Sequence, residues 1–169
     1  ETTSELSSFH KAIDQISGDI ICSFGDVLFK PYLLQLLDEC EDDLVIVIDT
    51  QWRDSVNRDR AADYVNCSQP HSRANYGDSI FLESAGENLG EDSIHGEWMG
   101  IIKISSAIFP TVRKEVDSLS KLENFDSMKM HHLLEHLCRL KQPIRVVYTT
   151  GNWLDVDTLE DVIRANNFL

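Results

Sequence analysis

At 169 residues the chain is long enough for one domain with a sizeable core and short for two. A hydrophobic share of 42% and a charged share of 26% are those of a globular protein. The formal net charge of −14, from 29 acidic against 15 basic residues, repels phosphate backbones and anionic lipid, and no Lys/Arg cluster offsets it. Nucleic acid and membrane surfaces are therefore excluded as expected partners.

No apolar run approaches the roughly 18 residues of a membrane span. The opening ETTSELSSFHKAIDQI is polar and amphipathic, unlike a signal peptide. A soluble, cytoplasmic protein is expected. The chain opens on Glu1 without a Met, so Glu1 reads as an internal residue of a longer chain. Cys22, Cys40, Cys67 and Cys138 contain no C-x-x-C pair and no zinc spacing; they read as small hydrophobes in a reducing compartment.

Taken in chain order, the first predicted element is a helix. Thr2 and Glu5 have capping-box spacing, Leu6, Phe9, Ile13 and Ile16 share one face, and Gly18 ends it. Ile20-Ile21-Cys22-Ser23-Phe24 then reads as a buried strand ending at Gly25-Asp26. Pro31 starts a second helix, Tyr32 to Cys40, and Leu44 to Asp49 is the clearest buried strand of the chain. Strand, helix, strand at this spacing predicts a βαβ unit with a parallel pair and a right-handed crossover. Residues 50–61 read as a loop or short helix. Tyr64-Val65 and Ser79–Leu82 read as short strands, and 83–93 as an acidic loop. A longer strand follows from His95 to Ile104, then helices from Ala107 to Leu122 and from Ser127 to Leu140. A strand over Ile144–Tyr148 and a last helix, Leu159 to Asn166, complete an α/β sandwich around a mixed, largely parallel sheet.

In such a sheet, ligands bind outside the C-terminal ends of the strands. Two acidic features fall there. Asp26 follows a buried strand in Phe24-Gly25-Asp26 and offers the hard oxygen that Mg²⁺ prefers. Asp155 and Asp157 in Trp153-Leu154-Asp155-Val156-Asp157 are two residues apart, so in an extended segment they share a face. Carboxylates from two strand ends converging on one cation is how proteins hold Mg²⁺ against nucleotide phosphates. Each feature also has a plainer reading. Gly-Asp after a strand is a common turn, and Asp157 with Glu160 has the spacing of an N-cap and capping box for the last helix. Lys103 could meet a phosphate or snorkel from its strand end. Glu97, between Gly96 and Trp98, could read a polar substrate group such as an amine. The six histidines show no metal pattern; His132 and His136, i and i+4, read as a solvated helix face.

The ordered segments ETTSEL, IICSFGDVLF, DLVIVIDTQW, GEWMGIIKIS and GNWLDVDTLEDVIRA together resemble the sugar-phosphate-type nucleotidyltransferases. More narrowly, they look like the cytidylyltransferases of phosphonate biosynthesis, which are often fused to a phosphoenolpyruvate mutase domain. The resemblance runs from Glu1 to Phe168. It implies a Rossmann-like three-layer sandwich, Mg²⁺ as cofactor, CTP as co-substrate, and transfer of CMP to a phosphonate or phosphate acceptor with release of pyrophosphate. On this resemblance Asp26 and Asp157 are the metal ligands, Asp155 is the close partner of Asp157, and Lys103 and Glu97 line the acceptor side. Phosphocholine, a sugar phosphate or a polyol phosphate is an alternative acceptor, and a non-catalytic interaction module is the alternative of another class. A homo-oligomer or a fused mutase domain is the expected protein partner. Family members open with a Gly-rich loop carrying an Arg, then a Lys, and nothing of the kind precedes Gly25 here. The expectation is a single domain, 1–169, lacking its N-terminal strand and loop, with apolar surface exposed where those strands would pair.

Overall fold

The computed structural model describes residues 4–54, 61–75 and 77–168. Its centre is a mixed six-stranded sheet of β1 (Ile20–Ser23), β3 (Leu44–Asp49), β4 (Tyr64–Cys67), β5 (Leu82–Gly86), β6 (Gly96–Ile104) and β7 (Arg145–Thr149). The order is β5-β4-β6-β3-β7, with β1 paired to the far half of β6, in line with β4 and not bonded to it in the ladder. Two strands outside it, β2 (Val27–Phe29) and β8 (Trp153–Asp155), form a separate antiparallel ribbon.

β3 is buried at all six positions because it is covered on both faces. Leu44, Ile46 and Ile48 point into the larger core with α1 (Glu5–Ala12), α3 (Phe109–Leu119) and α4 (Met130–Arg139). Val45 and Val47 point the other way, onto Leu33 and Leu37 of α2 (Tyr32–Glu39), with Met99 and Ile101 of β6. That alternation yields three layers, helix, sheet, helix, from one apolar run. The last helix, α5 (Leu159–Phe168), packs beside β8 and leaves Leu159 and Ile163 largely exposed.

The α/β sandwich and the mixed sheet agree with expectation; the largely parallel pairing does not. β6 lies antiparallel between β1 and β3, so these two strands run the same way without touching. The crossover through α2 therefore spans one intervening strand. The adjacent parallel pair among the described strands is β3 with β7. A single sequence supplies no register for strands distant along the chain, and β6 is apolar enough to sit between any two neighbours.

Two local expectations, the cap of α1 and one strand, change as well. Ser4, not Thr2, caps α1 by accepting the Ser7 N–H at 3.2 Å; Thr2 lies outside the described residues. Glu5 turns away from a capping box and accepts the Met130 N–H at 3.0 Å. The strand expected over Ser79–Leu82 begins at Leu82 and runs on to Gly86, into what read as loop. Most of the expected loop or helix at 50–61 falls outside the described residues, and Trp52–Asp54 is a 3₁₀ turn.

No helix among the described residues is long and apolar enough to cross a membrane. The four cysteines are unpaired, and burial raises the Cys67 and Cys138 thiols to about 11 and about 12, as suits small hydrophobes.

Candidate active-site cleft

The β2·β8 ribbon carries the acidic motifs. Val27 pairs with Asp155 and Phe29 with Trp153, and the Val156 N–H donates to the Asp26 carbonyl at 2.9 Å. The ribbon thereby brings the end of the Gly-Asp turn against the end of the Trp-Leu-Asp-Val-Asp segment. Carboxylate oxygens of Asp26, Asp155 and Asp157 lie within 4.8 Å of one another. Asp26 and Asp157 are exposed and Asp155 half-buried, so water or a ligand can reach them.

Asp157 is not the cap of α5. Thr158 holds that place: its Oγ1 accepts the Asp161 N–H at 3.3 Å, while Asp161 Oδ2 accepts the Thr158 N–H at 3.0 Å. The capping box is thus Thr158 with Asp161, one residue later than the spacing of Asp157 and Glu160 suggested. This leaves Asp157 at the mouth of the cleft.

The cleft, about 160 Å³, holds Asp26, Asp155 and Asp157 together with Glu97, Asp63 and Lys129. Glu97, at the start of β6 and 3% exposed, lines this cleft. Lys103 does not. It lies six residues further along the same extended strand, roughly 20 Å away, and its ammonium donates to the Cys40 carbonyl. It is a strand-end Lys satisfied by a neighbouring loop.

Among the described residues, the cation lining the cleft is Lys129, at the N-cap of α4. It pairs with Glu87, and that hydrogen bond raises its pKa and keeps it charged. Next to it, His131 Nδ1 meets Asp63 Oδ1 at 2.6 Å with His131 only 6% exposed. Glu5 completes this end; burial pushes its carboxyl pKa up, against the opposing pull of the Met130 N–H. Asp63, Lys129, His131 and Glu5 escaped the sequence reading. Their signal was slight: a Lys and two His at the start of an apolar-striped helix, and one Asp before a short strand. His132 is exposed, as expected of a solvated face, and its Nδ1 accepts the Lys129 N–H at 3.0 Å; His136 is half-buried and pairs with Glu115 at 2.9 Å.

A second cavity, about 380 Å³, opens on the β1 side and is lined by Ser8, Phe9, Cys22, Gly25, Gly100 and Ile102 among others. The two cavities share Glu5, Phe24, Asp26 and Trp98. Phe24 and Trp98 meet edge to face at 5.3 Å. Gly100, at φ +71°, makes room for the Phe24 ring; a Cβ there would fall 2.2 Å from it. Asp26 consequently stands where a larger, aromatic-walled compartment and a smaller, carboxylate-rich one adjoin.

The chain matches no protein-family model. Among solved structures it is similar to the inositol-1-phosphate CTP transferase from T. maritima, with a TM-score of 0.71 and 14% identity over 98% of this chain and 61% of that one. It is also similar to a UDP-glucose pyrophosphorylase complexed with UDP-glucose, with a TM-score of 0.68 and 11% identity over 99% and 62%. The chain shares the α/β fold of these two proteins. In sequence, the chain is similar to the CTP:phosphoglutamine cytidylyltransferase of Campylobacter jejuni, 24% identical over 149 residues. That match takes in 85% of this chain and 57% of the relative, so the chain spans little more than half the relative's length.

Proposed function

We propose that the chain carries the metal and acceptor side of a Mg²⁺-dependent cytidylyltransferase, which moves CMP from CTP to a small phosphate or phosphonate. The observation that carries this reading is the convergence of Asp26, Asp155 and Asp157 between two adjoining cavities. A two-substrate transfer needs two compartments meeting at a charge-neutralising centre. Similarity to a CTP:phosphoglutamine cytidylyltransferase and to a CTP transferase fold favours CTP as donor.

The donor set fits the ion. Three hard carboxylates, two of them exposed, suit a cation that keeps waters and takes its remaining ligands from phosphates. Asp26 and Asp157 would hold Mg²⁺, with Asp155 beside them. When bound, the ion neutralises phosphate charge and stabilises the departing pyrophosphate.

The chain's own groups do the rest. The acceptor's oxygen is already anionic, so its attack on the α-phosphorus needs no strong general base. A bond forms between that oxygen and the α-phosphorus, and the bond from the α-phosphorus to the bridging oxygen of pyrophosphate breaks. Catalysis then rests on positioning and charge. Lys129 supplies positive charge to the acceptor's phosphoryl group. Glu97 and Asp63, at the same wall, suit an acceptor whose other end carries an ammonium group. A phosphonate acceptor and a fused mutase domain remain part of this reading through the sequence resemblance alone.

Calorimetric titration with CTP, with and without Mg²⁺, tests the proposal beside an Asp26→Ala, Asp157→Ala double variant. Binding that needs Mg²⁺ and disappears in the double variant supports it. Binding indifferent to both Mg²⁺ and the two aspartates overturns it.

A further inference from the structure

We infer that Asp49 is the positioning residue of the acidic site: it fixes the turn and the indole from which Asp155 and Asp157 project. The consequence for metal binding rests on the reading above; the positioning itself does not.

Asp49 ends β3, in register with Glu97 of β6 on one side and Thr149 of β7 on the other. It is 6% exposed, deep enough that an unsatisfied carboxylate would be costly. Three donors satisfy it. Oδ1 accepts the Gln51 N–H and the Gly151 N–H, each at 2.9 Å, and Oδ2 accepts the Trp153 indole N–H at 2.8 Å. Such charge-assisted bonds are stronger than neutral ones and fix direction as well as distance.

Of those donors, Gly151 lies in the short connection from β7 to β8 and Trp153 opens β8. That connection turns through two left-handed residues, Gly151 at φ +59° and Asn152 at φ +67°. Asn152 is a non-glycine residue there, so something must hold the conformation against its cost. Asp49 grips the turn at Gly151 and again at Trp153, on either side of Asn152. Trp153 then pairs with Phe29, and two residues on Asp155 pairs with Val27, next to Asp26. The aspartates are thus referenced to the most buried strand of the sheet through one carboxylate. None of Asp49's own oxygens lines the cleft, whereas Trp153 does.

The chemistry makes the inference testable with an isosteric change. In Asp49→Asn the amide oxygen can still accept the two backbone N–H groups, but its NH₂ then faces the indole N–H, donor against donor. Trp153→Phe removes that opposition. The experiment measures amide exchange across residues 151–157 in the wild type, Asp49→Asn and Asp49→Asn/Trp153→Phe. Manganese(II) affinity is followed in the same proteins by the electron paramagnetic signal of the free ion, with Asp26→Asn/Asp157→Asn as control.

Exchange in 151–157 is expected to rise roughly tenfold or more in Asp49→Asn while β6 and α4 stay protected, and to fall back in the double variant. Manganese affinity is expected to follow the same order. Unchanged exchange in Asp49→Asn, or a uniform rise over the whole chain, overturns the inference. Local exchange that changes as stated, in a wild type that ignores manganese, upholds the positioning role and overturns the metal reading instead.

Discussion

The backbone N–H of Val156 donates to the carbonyl of Asp26 at 2.9 Å, tying the acidic motif near the end of the chain to the one near its beginning. This bond closes the β2·β8 ribbon at the end where the carboxylates emerge. Three carboxylates held that close repel one another unless a cation lies among them.

Neutralising one of them should therefore stabilise the metal-free protein. Asp157→Asn is expected to raise the thermal midpoint in EDTA by about 1–3 °C, the scale of a few tenths of a kcal/mol. With Mg²⁺ in excess the order should reverse, because the wild type gains binding free energy that the variant lacks. Scanning calorimetry in the two buffers reads both signs.

The cap of α5 separates structure from site. Thr158→Ala removes the capping hydroxyl and is expected to cost about 1 kcal/mol in urea unfolding, whereas Asp157→Ala should cost nothing of that kind. Equal losses in the two variants would return Asp157 to the role of a cap.

Gly100→Ala should be strongly destabilising. The added Cβ meets the Phe24 ring at 2.2 Å, and the backbone sits at φ +71°, where a side chain is strained. A loss of about 2–3 kcal/mol is expected. Because Phe24 adjoins Asp26, the same variant should weaken whatever binds at the aspartates, which a titration at low temperature would show.

Glu5 predicts a pH signature. Its carboxyl pKa is raised on folding, chiefly by burial, so the folded state holds that proton more tightly than the unfolded chain does. The associated stability is present in full below the ordinary value of 4.5 and is lost as pH rises through the raised folded value. Glu5→Gln keeps an acceptor for the Met130 N–H without the charge. It should be more stable than the wild type at neutral pH and lose that advantage in acid, as denaturant midpoints against pH will show.

Lys103 and Lys129 should part company. Lys129→Met is expected to weaken capture of a phosphate-bearing acceptor, and Lys103→Met to leave it unchanged while affecting stability alone. Competition by inorganic phosphate in a binding assay distinguishes the two.

The elements that patterning exposes were legible: Leu44–Asp49, Gly96–Ile104 and the striped helices stand close to where periodicity put them. Asp26, Asp155 and Asp157 announce themselves as Gly-Asp and Asp-x-Asp beside apolar runs, and the structure gathers them in one cleft with Glu97. Lys103 lies away from that cleft, and the sequence could not show it. A Lys ending an apolar strand reads the same whichever end of the sheet holds the site, and direction comes only from pairing. β2 and β8 were invisible as strands because each has three residues and gains its bonds only from the other. Asp63, Glu5 and His131 were missed because their partners are remote along the chain, at His131, Met130 and Asp63.

The ribbon has a kinetic meaning as well. Residues 26 and 155–157 can meet only after most of the chain has been laid down between them, and contacts of such long sequence separation form late and slowly. The order of events would run from the local helices, through β3 and β6, to the closing of β2 on β8. Partly folded chains would then carry a nearly complete core and no acidic centre, so that an ion captured there counts only the molecules that have finished folding.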